Sequence, residues 1–421
     1  MQRESTDHRR SPGNEFPEIH RYHESRSGGT DHQQEGRAPT AEAGAGSDAR
    51  AEARNAIRAK TIGEIENLEH FPSEQELSGY MELRLVYKRA NSYLYWVEDL
   101  PSAEDRRDLE PAALADFYGG LADFISSRAA LVDVSSGLRS PQEMDLLRGC
   151  LGDYSSRITQ KAENFRELVS GGGYPSQQDF EKNFVFNGLN IKVGDKVRDL
   201  CHGLGWSGDL MSNIDVRPLF VSYWTEAMAH QKVVFAGKTL PLHYRIYLNP
   251  ELSRTLEIAG RLSDAFEHEN LHVMHEIMNR PYNVAQYRGR IGGVRTEGIT
   301  VYCNRYHANR ALEIILECFE DNYDFFKDRP TPKLATPVAP GVAVASHEGF
   351  ETMGYSFDSH RSNIITDAWE DFASQNGGMA MTVSHQSIHA FRQVLETEFR
   401  KHRINPRNIA FRDSSASGDI L

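Results

Sequence analysis

The residues whose types and spacing could do chemistry are His268, Glu269 and His272, which form the pattern His-Glu-x-x-His. On an α-helix, side chains four residues apart lie on one face, one turn above the other. His268 and His272 could therefore direct two imidazoles at one zinc ion, which binds histidine nitrogen at about 2.0–2.1 Å. Glu269 is rotated round the helix from His268, so it would reach a metal-bound water and act as its general base.

These side chains need a helix to position them, and the sequence predicts one over residues 256–279. Ile258, Leu262 and Phe266 have the spacing of an apolar helix face. Pro281 would end the helix, because proline disfavours the helical conformation in the residue before it. The alternative interpretation is a partly buried helix whose histidines only hydrogen-bond to their neighbours.

A catalytic zinc ion needs a third protein ligand and an open position. Glu297 is the candidate, on a second helix that begins after a loop, with Thr296 as its N-cap. A buried face of this second helix is predicted at Ile299, Tyr302, Tyr306 and Ile314. The alternative for Glu297 is a carboxylate that only stabilises the positive end of the helix dipole.

The two motifs together resemble the QEGLA-motif proteins, whose eukaryotic relatives are the tubulin-tyrosine carboxypeptidases. That family pairs a His-Glu-x-x-x-His helix with a later Thr-Gln/Glu-Glu-Gly-Leu-Ala-Val segment, matched here by residues 296–302. The resemblance extends over residues 233–306. It implies a gluzincin-type zinc metallopeptidase with His268, His272 and Glu297 as ligands. The chain differs from the family in its two-residue gap between the histidines and in the single residue between Thr296 and Gly298.

The same spacing is similar to that of the largely helical peptidases of the angiotensin-converting-enzyme and oligopeptidase type. Those enzymes place a histidine and a tyrosine in a later segment, where both hydrogen-bond to the developing oxyanion. That resemblance implies an oxyanion role for His347 and Tyr355. Tyr302 and Tyr306 are alternative oxyanion donors, and for His347 the alternative is a buried histidine with ordinary hydrogen bonds.

The loop at residues 280–295 contains Arg280, Arg288, Arg290 and Arg295. A guanidinium binds a carboxylate through two parallel hydrogen bonds, so these arginines could clamp the free C-terminus of a substrate. That interpretation predicts a carboxypeptidase. The alternative is a solvated loop whose positive charges balance an acidic protein.

Charge and cysteine content exclude several classes of protein. The net charge is −13, which argues against a nucleic-acid binder because phosphate contacts need a basic surface. The sequence has no apolar run of about 18 residues, which predicts the absence of a membrane span. It also begins without the apolar segment of a secretory signal peptide. None of the four cysteines belongs to a Cys-x-x-Cys pair, so the sequence indicates neither a structural zinc site nor a disulfide framework. We therefore expect the protein to work in a reducing compartment.

Composition divides the chain into four parts. Residues 1–55 are polar and contain no Leu, Val or Trp, so we expect them to be disordered. Their composition resembles the export regions of bacterial effectors that are delivered into host cells; an ordinary flexible tail is the alternative. Residues 56–215 are predicted as a helical domain or layer, 216–412 as a zincin-like catalytic domain, and 413–421 as a loose tail.

The expected fold class is α+β and predominantly helical, with a small sheet over the His-Glu-x-x-His helix. Apolar periodicity predicts helices at residues 74–100, 111–130, 141–171, 364–374 and 384–402. It predicts strands at residues 216–223, 233–235 and 243–248.

These observations predict a zinc-dependent metallopeptidase that hydrolyses a peptide bond of a peptide or protein substrate. It would work in the cytoplasm, or in a host cell after export without a classical signal peptide. The first alternative is a catalytically inactive zincin-fold protein that binds a partner. The second is a helical interaction protein in which the motif occurs by chance. The sequence leaves the substrate and the oligomeric state open.

Overall fold

The computed structural model describes most of the chain from residue 238 onwards and shorter segments before it. The described residues are 61–82, 96–97, 110–129, 133–134, single positions and short runs between 142 and 172, 214–215, 232–235, 238–269, 271, 273–277, 294–347, 357–376 and 383–413. All of them belong to one compact unit, Ser47–Leu421. The predicted disordered segment 1–55 and all but the first residue of the predicted loose tail lie outside the described residues.

Eight helices and eleven strands are described. The helices are α1 (Ile62–Glu66), α2 (Glu74–Glu82), α3 (Pro111–Ala129), α4 (Thr255–His268), α5 (Ala308–Asp321), α6 (Tyr323–Phe326), α7 (Phe357–Gln375) and α8 (His385–Lys401). The strands are β1 (Trp96–Val97), β2 (Asp133–Val134), β3 (Ile214–Asp215), β4 (Lys232–Phe235), β5 (Lys238–Pro241), β6 (Tyr244–Leu248), β7 (Val273–Ile277), β8 (Val294–Arg295), β9 (Ile299–Cys303), β10 (Thr336–Ala339) and β11 (Val342–Ser346). A single 3₁₀ turn, Leu252–Arg254, precedes α4.

A five-stranded antiparallel sheet with the order β10-β11-β6-β9-β7 organises the described part of the chain. Its interior strand β9 is buried at all five positions and reads Ile-Thr-Val-Tyr-Cys, a run of β-branched and aromatic residues that favours a strand. In the pairing of β7 with β9, Val273 lies opposite Cys303 and Ile277 lies opposite Ile299. The sheet thus joins the segment after the histidine motif to the segment after Glu297.

Successive side chains of a strand point to opposite faces of the sheet, which gives this sheet two unlike faces. One face carries Ile246 and Val301, which are opposite each other and fully buried. The other face carries Arg245 opposite Tyr302, with Tyr247 two residues along β6, and all three are also buried. One face is therefore part of an ordinary apolar core, whereas the other buries a polar cluster.

Helices complete the core. Helix α4 packs against α5, and α8 packs against both α7 and α2. Helix α8 begins with a capping box at Ser384, and it buries Phe391, Leu395 and Phe399. The predicted helices 111–130 and 384–402 and the predicted strand 243–248 are confirmed within one residue at each end. The described positions between 142 and 170 are helical, as predicted.

The α+β class is confirmed, whereas several predicted elements are wrong. The helix predicted over 256–279 ends at His268, and residues 273–277 form β7. The second helix predicted from Thr296 is strand β9, and the following helix α5 begins only at Ala308. The helix predicted over 74–100 is described as α2 up to Glu82, while Trp96–Val97 pairs with β8 as a strand.

Two further sequence expectations concern the membrane and the cysteines. Among the described residues, no helix has the length and apolar character needed to cross a bilayer. Cys303 and Cys318 are free thiols, and Cys303 is fully buried on β9. Burial raises the pKa of Cys303 to about 12, so this thiol stays protonated and unreactive at neutral pH.

Candidate functional site

The histidine motif does not lie on one helix. His268 is the last residue of α4, and both His268 and Glu269 are exposed. The backbone N–H of Leu271 donates to the carbonyl of Phe266 at 2.8 Å, a bond that closes the end of the helix, and β7 begins at Val273. His272 lies outside the described residues, and the helix that was predicted to carry both histidines ends at His268.

Glu297 lies near the opposite end of α4 from His268. It precedes Gly298, and a Cβ placed on Gly298 would lie 3.5 Å from the Oγ1 of Thr255, the first residue of α4. His268 is the last residue of this helix of 14 residues, which is about 20 Å long at 1.5 Å per residue. The structure therefore does not bring Glu297, which is 2% exposed, to His268.

The two helices that the sequence predicted for a zinc centre of His268, His272 and Glu297 are thus not found, and the ligand set itself stays a prediction because His272 lies outside the described residues. Within the described ranges, no three His, Cys, Asp or Glu side chains are grouped so that they could hold a metal ion. Zinc binding itself stays a prediction. Tyr355 and residues 280–293 of the arginine-rich loop lie outside the described residues, so their predicted roles also stay predictions.

Glu269 forms an ion pair that links the end of α4 to the first turn of α5. Its carboxylate accepts hydrogen bonds from Nε of Arg310, at 2.6 Å, and from Nη2 of the same guanidinium. Arg310 also pairs with Glu313 and Glu317 on its own helix. The hydrogen bond from Arg310 is the main cause that lowers the pKa of Glu269 below its ordinary value. A less basic carboxylate is a weaker proton acceptor, which does not favour the predicted role of general base.

The ion pair makes stability depend on pH in one direction. Because the pKa of Glu269 is lowered in the folded state, the pair contributes stability above the ordinary value of 4.5, and this contribution is lost as the pH falls through the lower folded value. We therefore expect Glu269→Gln to lower the melting temperature slightly at pH 7 and to have no effect in strong acid. Melting curves of Glu269→Gln, Arg310→Gln and the double variant across pH test this. A coupling between the two sites that persists at the acid end would contradict it.

Among the candidate oxyanion donors that the structure describes, Tyr306 is exposed, whereas Tyr302 and His347 are buried. The side chain of Tyr306 is 75% exposed, in the turn between β9 and α5. Tyr302 and His347 are buried, and their rings meet edge to face with centroids 5.2 Å apart. His347 directly follows β11, and its backbone N–H donates to the carbonyl of His243 at 2.6 Å, which continues the pairing of β11 with β6.

Tyr302 and His347 belong to a group that we call the Arg245 cluster, composed of Arg245, Tyr247, Tyr302, His347 and Phe357. Nη1 of Arg245 donates to the hydroxyl of Tyr247 at 3.2 Å, and Nη2 lies 2.7 Å from Nδ1 of His347. The guanidinium carbon is 5.4 Å from the ring centroids of both Tyr302 and Phe357, within the range of cation–π attraction. One charged side chain thus contacts all four other members.

The burial of Arg245 is the most unusual feature of this cluster. Arginine is rarely fully buried, and it keeps its charge because its pKa lies far above neutrality. Arg245 is nevertheless only 2% exposed, in the middle of a sheet face. A charge in a water-poor environment interacts more strongly with other charged and polar groups than the same charge at the surface. Arg245 therefore interacts strongly with the polar and aromatic groups that surround it in the cluster.

Sequence reasoning missed Arg245. The segment Tyr-Arg-Ile-Tyr-Leu was correctly predicted as a strand, and the signal was the single charged residue within it. A second buried arginine, Arg361 on α7, also lies over the ring of Phe357, with its guanidinium carbon 4.3 Å from the ring centroid. Its Nε donates to the carbonyl of Ile409 at 3.1 Å, which ties α7 to the C-terminal segment. The contacts of Arg361 are thus those of a residue that holds the fold together.

Comparison with known proteins adds one family match, over residues 226–411, which include the sheet and helices α4–α8. The match is to the HopA1 effector protein family. The HopA1 match includes every described residue of the Arg245 cluster, and it agrees with the effector interpretation of the sequence. The match gives no support to the zinc-peptidase resemblance, although the residues of that resemblance, 233–306, lie within the matched region. A search of curated proteins found no match.

Two solved structures of bacterial effectors are similar to parts of the chain. The effector protein from Pseudomonas syringae pv. syringae strain 61 is 15% identical, with 41% of this chain and 61% of that chain covered and a TM-score of 0.27. The effector protein from Pseudomonas syringae pv. tomato strain DC3000 is 13% identical, with coverages of 81% and 99% and a TM-score of 0.32.

Proposed function

We propose that this protein is a bacterial effector that acts in a host cell by engaging a host protein. The observation that carries the proposal is the HopA1 family match over residues 226–411, the part of the chain that builds the sheet. The polar composition of residues 1–55 supports delivery, since it resembles the export regions of effectors.

Delivery is tested with the full chain fused at its C-terminus to a reporter enzyme that is active only in host cytoplasm. We expect a reporter signal when host cells meet bacteria that express the fusion and have a working secretion apparatus. The same bacteria without the apparatus should give none. Expression of the fusion without any signal in host cells would overturn the effector proposal.

Zinc-dependent peptide hydrolysis, including its carboxypeptidase form, is supported by the sequence motif alone. The distance between Glu297 and His268 along α4 counts against the predicted ligand set. The zinc content of the purified protein, compared with that of His268→Ala, decides whether this prediction is retained. A binding role without hydrolysis is the alternative that agrees with the proposal above.

A further inference from the structure

The contact between Arg245 and His347 determines which ring nitrogen of His347 carries a proton. Nη2 of Arg245 lies 2.7 Å from Nδ1 of His347. A guanidinium has five N–H donors and no acceptor. In this hydrogen bond Arg245 must therefore donate, so Nδ1 of His347 must accept and cannot carry a proton.

An imidazole with no proton on Nδ1 is neutral and carries its single ring proton on Nε2. We propose that Arg245 is a positioning residue that holds His347 as the neutral Nε2–H tautomer, so that Nδ1 of His347 cannot act as a general base. The lone pair of Nδ1 is engaged by Arg245, and the other ring nitrogen carries the proton.

The surroundings of the ring hold it in this state. His347 is 4% exposed, its ring packs edge to face on Tyr302, and its backbone N–H is bonded to His243. The ring thus lies between Arg245 and Tyr302, and rotation that exchanged its two nitrogens would break the contact with Arg245.

The tautomer limits what the Arg245 cluster can do. With Nδ1 engaged by Arg245 and Nε2 protonated, neither ring nitrogen of His347 can take a proton from a substrate. This restriction does not rest on the proposed function. The inference therefore survives or fails independently of delivery into a host cell.

Nitrogen NMR of the full chain with ¹⁵N-labelled histidine tests the inference, because protonated and unprotonated ring nitrogens have widely separated shifts. The His347 signals are identified by their loss in His347→Asn. We expect the wild type at neutral pH to show Nε2 protonated and Nδ1 unprotonated. A wild-type spectrum with Nδ1 protonated, or with both nitrogens protonated, would overturn the proposal whatever the variants do.

Two substitutions separate positioning from a general structural effect. Arg245→Met keeps an unbranched apolar side chain, two atoms shorter than arginine, and removes every donor, so we expect the two His347 nitrogens to move towards averaged shifts. Arg245→Lys keeps one donor near Nδ1 and should restore the single tautomer. A folded Arg245→Met protein with an unchanged His347 tautomer would contradict the role of Arg245, even if the tautomer in the wild type is as expected.

Discussion

Replacement of Arg245 by methionine is expected to lower the free energy of unfolding by about 2–4 kcal/mol, because it leaves two buried polar groups without their donor. The hydroxyl of Tyr247 and Nδ1 of His347 both contact the guanidinium in the folded protein. Methionine fills much of the same volume, so the loss comes mainly from these hydrogen bonds and less from a cavity. Urea unfolding followed by circular dichroism measures the change.

Arg254 offers a matched control for this experiment. It lies just before α4 with a side chain that is 46% exposed, and it pairs with Glu257 at 2.9 Å. Exposed ion pairs contribute at most about 1 kcal/mol, so Arg254→Met should cost less than that. Equal losses of unfolding free energy in Arg245→Met and Arg254→Met would contradict the claim that the buried hydrogen bonds of Arg245 stabilise the fold.

Phe399→Ala should be more destabilising than Arg245→Met. We expect it to lower the free energy of unfolding by about 3–5 kcal/mol, as for other buried phenylalanines. Phe399 is fully buried on α8, and its ring meets Phe71 edge to face at 6.2 Å. Phe71 belongs to the segment between α1 and α2, so the substitution should also loosen that segment. Thermal unfolding measures the first effect, and faster proteolytic cleavage between residues 61 and 82 measures the second.

Gln393→Ala, on the exposed side of the same helix, is the control for Phe399→Ala. Alanine is a good helix former, so this change should leave the melting temperature almost unchanged. If Phe399→Ala is tolerated as well as Gln393→Ala, the packing of α8 against the N-terminal helices is not as described.

The sequence predicted those elements in which an apolar pattern repeats over several turns, or in which a capping residue or a proline marks an end. Helix α8 has apolar residues at helical spacing over four turns and begins at a serine cap, and both features were visible in the sequence. Helix α3 begins with a proline, which favours the first helical position. Strand β6 is a short apolar segment with Pro250 shortly after it, so its limits were also clear.

The motif region was mispredicted because a spacing of four residues does not distinguish a helix from a strand. Val273 and Ile277 lie on one face of an α-helix, but they also lie on one face of a strand, where every second residue does. The structure places both on β7, buried at 2% and 0%. For residues 299–303, the run Ile-Thr-Val-Tyr-Cys favours a strand by composition, and the resemblance to a helical zinc motif concealed that signal.

The Arg245 cluster could not have been assembled from the sequence. Its members come from β6, β9, the residue after β11 and the start of α7, which are far apart along the chain. Only the strand order and register bring Arg245 opposite Tyr302 and next to His347. What the sequence offered was the presence of a charged residue within a strand that was otherwise apolar or aromatic.

Delivery of the full chain into host cells tests the effector proposal, the central claim, most directly. We predict that a C-terminal reporter fusion gives a signal in host cells that meet secretion-competent bacteria, and none with bacteria that lack the secretion apparatus. A fusion that the bacteria express but that gives no signal in host cells would contradict the account.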